Sequence, residues 1–185
     1  MDTLSTRDKI KKVLIDIMVT TDVDKITTVV LAKKAGISRA TFYRYYDSVE
    51  NVLIEAENEF TEGMRDVSRY YISAPFDVKN LNIPYPEFIA IAEYIRAHKD
   101  FFLAITGPHG DGRFVKRWHK FLKEFYYGKL AYKELIQENT DVYVEAILAG
   151  SDSLVRYWLT KRSDLSAEEI VPITQKILYG PFVCC

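Results

Sequence analysis

The stretch Thr27–Ser48 constrains the fold more than any other part of the chain, because it sets three helix starts and one glycine close together. Thr27 suits the N-cap of a short helix through Leu31, Ala32 and Ala35. Gly36 ends that helix, since glycine accepts the positive φ that a tight turn requires. Ser38 caps a second helix only two residues later, and Asp47 or Ser48 caps a third. Two short helices around a glycine turn make a helix-turn-helix.

The flanks read as helices too. Ile10, Val13, Leu14, Ile17 and Met18 recur at the spacing of one apolar helical stripe, behind a cap at Ser5 or Thr6. The polar stretch Thr20–Lys25 ends it. Beyond Ser48, the residues Val52, Leu53, Ala56, Phe60, Met64 and Val67 predict a long helix reaching Tyr71. Ser73–Tyr85, with Pro75, Asp77 and Pro84, reads as a linker. Pro86 is placed to start a helix through Phe88 and Ile95. A short apolar segment, Lys99–Thr106, closes at Gly107-Pro108. A further helix over Arg113–Tyr127 extends past Gly128 to Ile136. Asp141–Thr160 and Ser166–Tyr179 supply the last two, the second with Ser166 and Glu169 as a capping box. No stretch reads as a strand, and eight glycines and six prolines are few. The expected fold is all-α, with a helix-turn-helix domain over residues 1–47 and a second helical domain over 48–185.

Charge is unevenly spread along a chain whose net is only −1. Residues 1–46 hold nine Lys/Arg against five Asp, and residues 47–71 hold seven acids against two bases. A basic N-terminal segment fits an anionic polymer as partner. With 48% hydrophobic and 28% charged residues, the composition is that of a folded globular chain. Apolar runs such as Phe101–Ile105 fall far short of the ~18 residues of a membrane span. No secretory pattern is visible, because Asp16 interrupts the one apolar stretch near the start. Cys184 and Cys185 are adjacent and staple no loop, so the expected compartment is the cytoplasm.

Metal and catalytic readings find no support in the pattern. His98, His109 and His119 match no ligand spacing. The loop "GPHGDG" at 107–112 lacks the Lys-Ser/Thr of a phosphate loop and reads as an interhelical turn. No nucleophile, base and orienting group fall together, so neither an enzyme nor a cofactor is expected.

The stretch "ITTVVLAKKAGISRATFYRYYDSVENVL", Ile26–Leu53, resembles the DNA-binding region of the TetR family of bacterial transcriptional regulators. The likeness is carried by the capping Thr, Ala35-Gly36-Ile37-Ser38 and the aromatic run Phe42 to Tyr46. "RAHKDFFLAITGPHGDGRF" and "YWLTKRSDLSAEEIV" resemble the C-terminal region of a Firmicutes-type branch. Two positions depart from the pattern: Val49 stands where the family usually has Lys, and Val29 and Val30 occupy commonly polar places.

The resemblance implies double-stranded DNA as partner. In a helix-turn-helix the second helix presents its N-terminal residues to base edges. Arg39 is therefore the expected base reader, since arginine pairs bidentately with guanine, and Ala40 allows close approach. Thr27, Thr28, Ser38, Thr41, Tyr43 and Tyr45 are expected around phosphates, which fix register without reading sequence. Arg44 suits either role, and Phe42 and Tyr46 belong to the core.

The family's regulators also dimerise and bind a small effector. Twelve of the chain's 25 aromatic residues fall between 85 and 132, which suggests an aromatic-lined effector pocket around Phe88, Ile91, Tyr94, Phe102, Trp118, Phe121 and Phe125. The last two helices correspond to the dimerising pair, with Ile147, Gly150, Leu154, Tyr157 and Trp158 as the apolar seam. The resemblance thus implies a homodimeric repressor released from a palindromic operator by an apolar or aromatic effector. The other reading is a co-activator of the same fold working mainly through a protein partner.

Overall fold

In the computed structural model, which describes residues 5–71, 80–132 and 138–183, the chain is helical and forms no strand among those residues. Helix α1 (Thr6–Met18) starts where the Ser5 hydroxyl oxygen accepts from the Asp8 amide at 3.1 Å. It buries Ile10, Leu14, Ile15, Ile17 and Met18, while Val13 stays half-exposed at the edge of that stripe. The polar stretch after it contains a 3-10 turn, Val23–Lys25, that the sequence pattern does not disclose. Three residues are too few to show periodicity.

Helix α2 (Thr28–Lys34) is capped by Thr27, whose hydroxyl accepts from the Val30 amide at 3.3 Å. It ends at Gly36, with φ 64°, where the Gly36 and Ile37 amides fold back onto the Lys33 and Ala32 carbonyls. Helix α3 (Arg39–Tyr43) is capped by Ser38, which accepts from the Thr41 amide at 3.0 Å. It is shorter than its aromatic run, and Arg44 and Tyr45 form the turn that follows. Ser48 accepts from the Asn51 amide at 3.1 Å and starts α4 (Val49–Tyr71).

Then come α5 (Pro86–Ala97), α6 (Lys99–Ile105), α7 (Gly112–Tyr132), α8 (Thr140–Lys161) and α9 (Ala167–Val183). Pro86 opens α5 as expected. The capping box is present: the Ser166 amide donates to the Glu169 carboxylate at 2.8 Å, and the Glu169 amide donates to the Ser166 hydroxyl at 3.3 Å. Linker residues 72–79, the extension of α7 over 133–137, and Cys184 and Cys185 lie outside the described residues.

The chain forms two compact units, and they do not part at residue 47. One comprises Met1–Gly63 with Asp100–Val115, the other Met64–Lys99 with Lys116–Cys185. The first unit is joined by aromatic packing: Phe60 on α4 meets Phe101 at 4.8 Å, Phe102 at 6.4 Å and Phe114 at 6.3 Å between ring centres. Arg7 and Lys11 of α1 reach Glu55 and Glu59 of α4. Sequence proximity placed α6 with the later helices, but these rings bury it against α4.

In the second unit α9 packs on both α5 and α8. Phe88 meets the fully buried Tyr179 edge-on at 5.8 Å. Gln175, also fully buried, accepts from the Tyr85 amide at 2.9 Å and donates to the Leu81 and Ile83 carbonyls. That one side chain satisfies three backbone groups ahead of α5, which are costly to bury unpaired.

Candidate nucleic-acid interface

The caps and the glycine turn determine which side chains α3 shows to solvent. Ser38, Arg39, Ala40, Tyr43 and Arg44 are exposed, and Thr41 and Tyr45 are half-buried. Phe42 is fully buried and Tyr46 is 5% exposed, so both belong to the core of the first unit. Thr27 is exposed and Thr28 half-buried at the start of α2, and Lys33 and Lys34 are exposed in its last turn.

The face is held from behind. Phe42 meets the Tyr43 ring edge-on at 5.7 Å. The Tyr43 hydroxyl lies within reach of the Arg39 guanidinium and the Thr28 hydroxyl, which pull its pKa below the usual phenol value. With those donors on its oxygen, the phenol keeps its own proton for an outside acceptor. Tyr43 therefore links the first residues of α2 and α3. Arg44 lies over the Tyr45 ring at 5.7 Å.

The basic residues divide into two groups. Arg7, Lys11 and Lys25 are engaged with Glu55, Asp8, Glu59 and Asp22. Lys9, Lys12, Lys33 and Lys34 are exposed or at the surface and form no ion pair with another described residue. Position 49 is filled by a buried valine, 9% exposed, while Val29 and Val30 are 51% and 42% exposed on α2.

Of the residues named for an effector pocket, Phe102 belongs to the first unit, packed on Phe60 and 1% exposed. The other six lie in the second. There Phe88 and Trp118 are buried, and Ile91, Tyr94, Phe121 and Phe125 are half-buried. Trp118 stacks on Phe121 at 5.6 Å, and Arg65 lies over the Phe121 ring at 5.7 Å. Sequence reasoning missed the polar groups buried in the same unit. Glu87 is 2% exposed, and the half-buried Tyr126 has its phenol pushed up to about 12 by desolvation despite its bond with Ser151. Glu87 follows a helix-opening proline, where an acid is ordinarily a surface residue, so nothing in the pattern signalled its burial.

The proposed seam changes in detail. Ile147 is 8% exposed and Trp158 3%, and the Trp158 ring nitrogen donates to the Leu165 carbonyl at 3.0 Å, so both belong to the interior of the single chain. Leu154 is half-buried, and Gly150 is exposed. Tyr157 is exposed, and so are Val142, Tyr143, Ile173 and Ile177 on α8 and α9.

The three histidines are held apart. His98 bonds the Tyr94 carbonyl, His109 the Asp22 carboxylate and His119 the Asp152 carboxylate.

A helix-turn-helix with an exposed, capped second helix, followed by a helical C-terminal region, defines a transcriptional regulator. The family model described as a transcriptional regulator C-terminal region matches residues 82–180. The chain belongs to the TetR family of transcriptional regulators. It is similar to the HTH-type transcriptional regulator YxbF of Bacillus subtilis, with 21% identity over 187 residues. That match covers 96% of this chain and 47% of YxbF, so the chain spans about half the length of this curated relative. Among solved structures it is similar to the fatty acid degradation regulator FadR from Bacillus halodurans. The TM-score is 0.66 at 16% identity, covering 99% of each chain. It is also similar to the dihydroxyacetone kinase operon activator DhaS, with a TM-score of 0.55, 16% identity and 97% of each chain covered. No helix among the described residues is long and apolar enough to cross a membrane.

Proposed function

We propose that this regulator is a homodimeric repressor that holds a palindromic operator through α2 and α3 and releases it when a small effector enters the second unit. One observation carries the reading: Arg39 and Ala40 stand exposed at the start of α3 and Tyr43 at its end, on a helix fixed by the Ser38 cap and the Gly36 turn. Arg39 reads guanine in the major groove and Ala40 permits the approach. Thr27, Thr28, Ser38, Thr41, Tyr43 and Tyr45 surround phosphates, and Arg44, with Lys33 and Lys34, adds charge that releases counterions.

Dimerisation supplies the second half-site. Exposed apolar residues on α8 and α9, which pack on each other, support a four-helix interface through Gly150, Tyr157, Val142, Ile173 and Ile177, with Leu154 at its edge. The effector is apolar or aromatic and sits among Phe88, Ile91, Tyr94, Trp118, Phe121 and Phe125, with buried Glu87 in the same unit to meet one donor group.

A footprint on the DNA flanking its own gene tests the operator claim, with a protected palindrome expected. Calorimetry of an effector with and without that operator tests the switch. Coupling is reciprocal and typically ~1–3 kcal/mol, so operator must weaken effector binding by the same factor. Identical affinities would leave a DNA-binding protein with no switch.

A second reading, a co-activator docking on a protein partner, is favoured by exposed Val29 and Val30 on α2. The similarity to DhaS, named an operon activator, points the same way. DNA binding only in a partner's presence would favour it.

A further inference from the structure

We propose that the loop between α6 and α7 is a clamp on the helix-turn-helix, in which His109 is a positioning residue for operator binding. This rests on the reading that α2 and α3 hold DNA.

The loop has one narrow path. The Gly110 amide donates to the Gly107 carbonyl at 3.1 Å. A Cβ at Gly110 would lie 1.9 Å from the Ile105 carbonyl oxygen, and one at Gly107 would lie 2.7 Å from that of Leu103. Asp111, 7% exposed, caps α7 by accepting from the Arg113 amide at 2.7 Å. Such close backbone approach leaves the loop no room to carry larger residues at its glycines.

From this loop and the first turn of α7, two side chains reach the two ends of the DNA-facing segment, all within the first unit. His109 Nδ1 meets Asp22 Oδ1 at 2.6 Å. Asp22 precedes the Val23–Lys25 turn that delivers Thr27 and Thr28. Arg113 meets Glu50 at 3.1 Å in the first turn of α4, beside the Ser48 cap that follows α3. Entry and exit are thus both held from outside.

A groove of about 940 Å³ lies between these attachments, bordered by Asp24, Thr28, Ser48, Leu53 and Pro108. The open groove itself is not filled by close packing, so the polar bridges are what cross it. The groove's lining carries Asp22, Asp24, Glu50, Asp111 and Arg113 beside His109, so His109 and Arg113 are the basic groups that the loop and α7 bring to its acids.

The test is operator affinity for the wild-type protein, His109→Gln, His109→Arg and the control His119→Gln, whose partner Asp152 lies in the other unit. Partly exposed pairs are individually weak, so a dimer that loses both clamps in His109→Gln should bind operator about three- to tenfold more weakly. His109→Arg, which keeps a cationic donor for Asp22, should restore the affinity, and His119→Gln should follow wild type. Amide hydrogen exchange over Val23–Thr28, measured without DNA, should quicken in His109→Gln and not in His109→Arg. That arm stands even if α2 and α3 hold no operator. A His109→Gln variant with wild-type operator affinity, or with unchanged exchange, would overturn the clamp.

Discussion

The hydroxyl of Tyr46 donates to Glu55 at 2.8 Å, fastening the end of the helix-turn-helix to the second turn of α4. Arg7 binds the same carboxylate and lies 4.9 Å over the Tyr46 ring, and Lys11 approaches it at 3.5 Å. One carboxylate thus joins α1, the end of the helix-turn-helix and α4. Tyr46→Phe should cost ~1–2 kcal/mol in denaturant unfolding, the worth of one hydrogen bond, because Glu55 keeps its cations. Glu55→Ala should cost more, since it leaves the buried Tyr46 phenol without its acceptor and Arg7 without its partner, while Lys11 keeps Glu59 and Asp8. Equal losses would contradict the shared role.

The same carboxylate makes stability depend on acid. Burial pushes the Glu55 pKa up, but the Tyr46 hydroxyl and the Arg7 and Lys11 charges outweigh it and hold the net value below the ordinary one. Asp8 is lowered by Ser5 and Lys11. Asp22 is lowered by Lys25 and His109. A lowered carboxyl contributes stability that is complete above its unfolded value and disappears as pH falls through the folded one. Stability should therefore decline below about pH 4, the ordinary carboxylate range. Glu55→Gln should be less stable than wild type at neutral pH and show a shallower acid decline. A variant curve parallel to wild type would remove Glu55 from that role.

Arg39 and Tyr43 sit one turn apart on α3 with the phenol oxygen within reach of the guanidinium. Arg39→Ala should cost ~1–3 kcal/mol at the operator and relax preference at one symmetric position. Tyr43→Phe loses a phosphate donor and also frees Arg39, so it should reduce specific binding more than binding to random DNA. The double variant should be non-additive by at least ~0.5 kcal/mol, as for contacting residues. Additive losses would mean that the two side chains act separately.

For assembly, Tyr157→Glu or Ile177→Glu should give a folded monomer by sedimentation that has lost operator binding. Trp158→Ala should instead lower the unfolding midpoint, because Trp158 is buried within the protomer. A large-to-small change of this kind costs ~3–5 kcal/mol. A Tyr157→Glu protein that remains a dimer would move the interface elsewhere.

What the sequence disclosed was the local chemistry. Thr27, Ser38 and Ser166 cap where their side chains suggest, the open choices Ser5 or Thr6 and Asp47 or Ser48 fall to Ser5 and Ser48, and Gly36 takes the positive φ of the turn. These depend on neighbours three or four residues away. The exposure of Arg39, Ala40 and Tyr43 and the burial of Phe42 and Tyr46 agree with the placement that the family resemblance implies. Non-local pairing was not legible. His109 and Asp22 are 87 positions apart, and nothing in either neighbourhood announces the other. Phe102 was grouped with the later aromatics because they are near in sequence, yet its ring packs on Phe60. Ile147 and Trp158 carry the right apolar periodicity for a seam, but periodicity does not tell an intramolecular face from an intermolecular one.

Selection of duplexes from a random pool, run side by side with wild type and Arg39→Ala, tests most directly whether α2 and α3 read DNA. Wild type should enrich a palindrome whose half-site centres lie about 34–36 Å apart or a multiple of that. Arg39→Ala should lose preference at one symmetric position while still binding DNA without sequence. Wild-type protein that enriches no sequence, or Arg39→Ala that enriches the same palindrome equally well, would contradict the account.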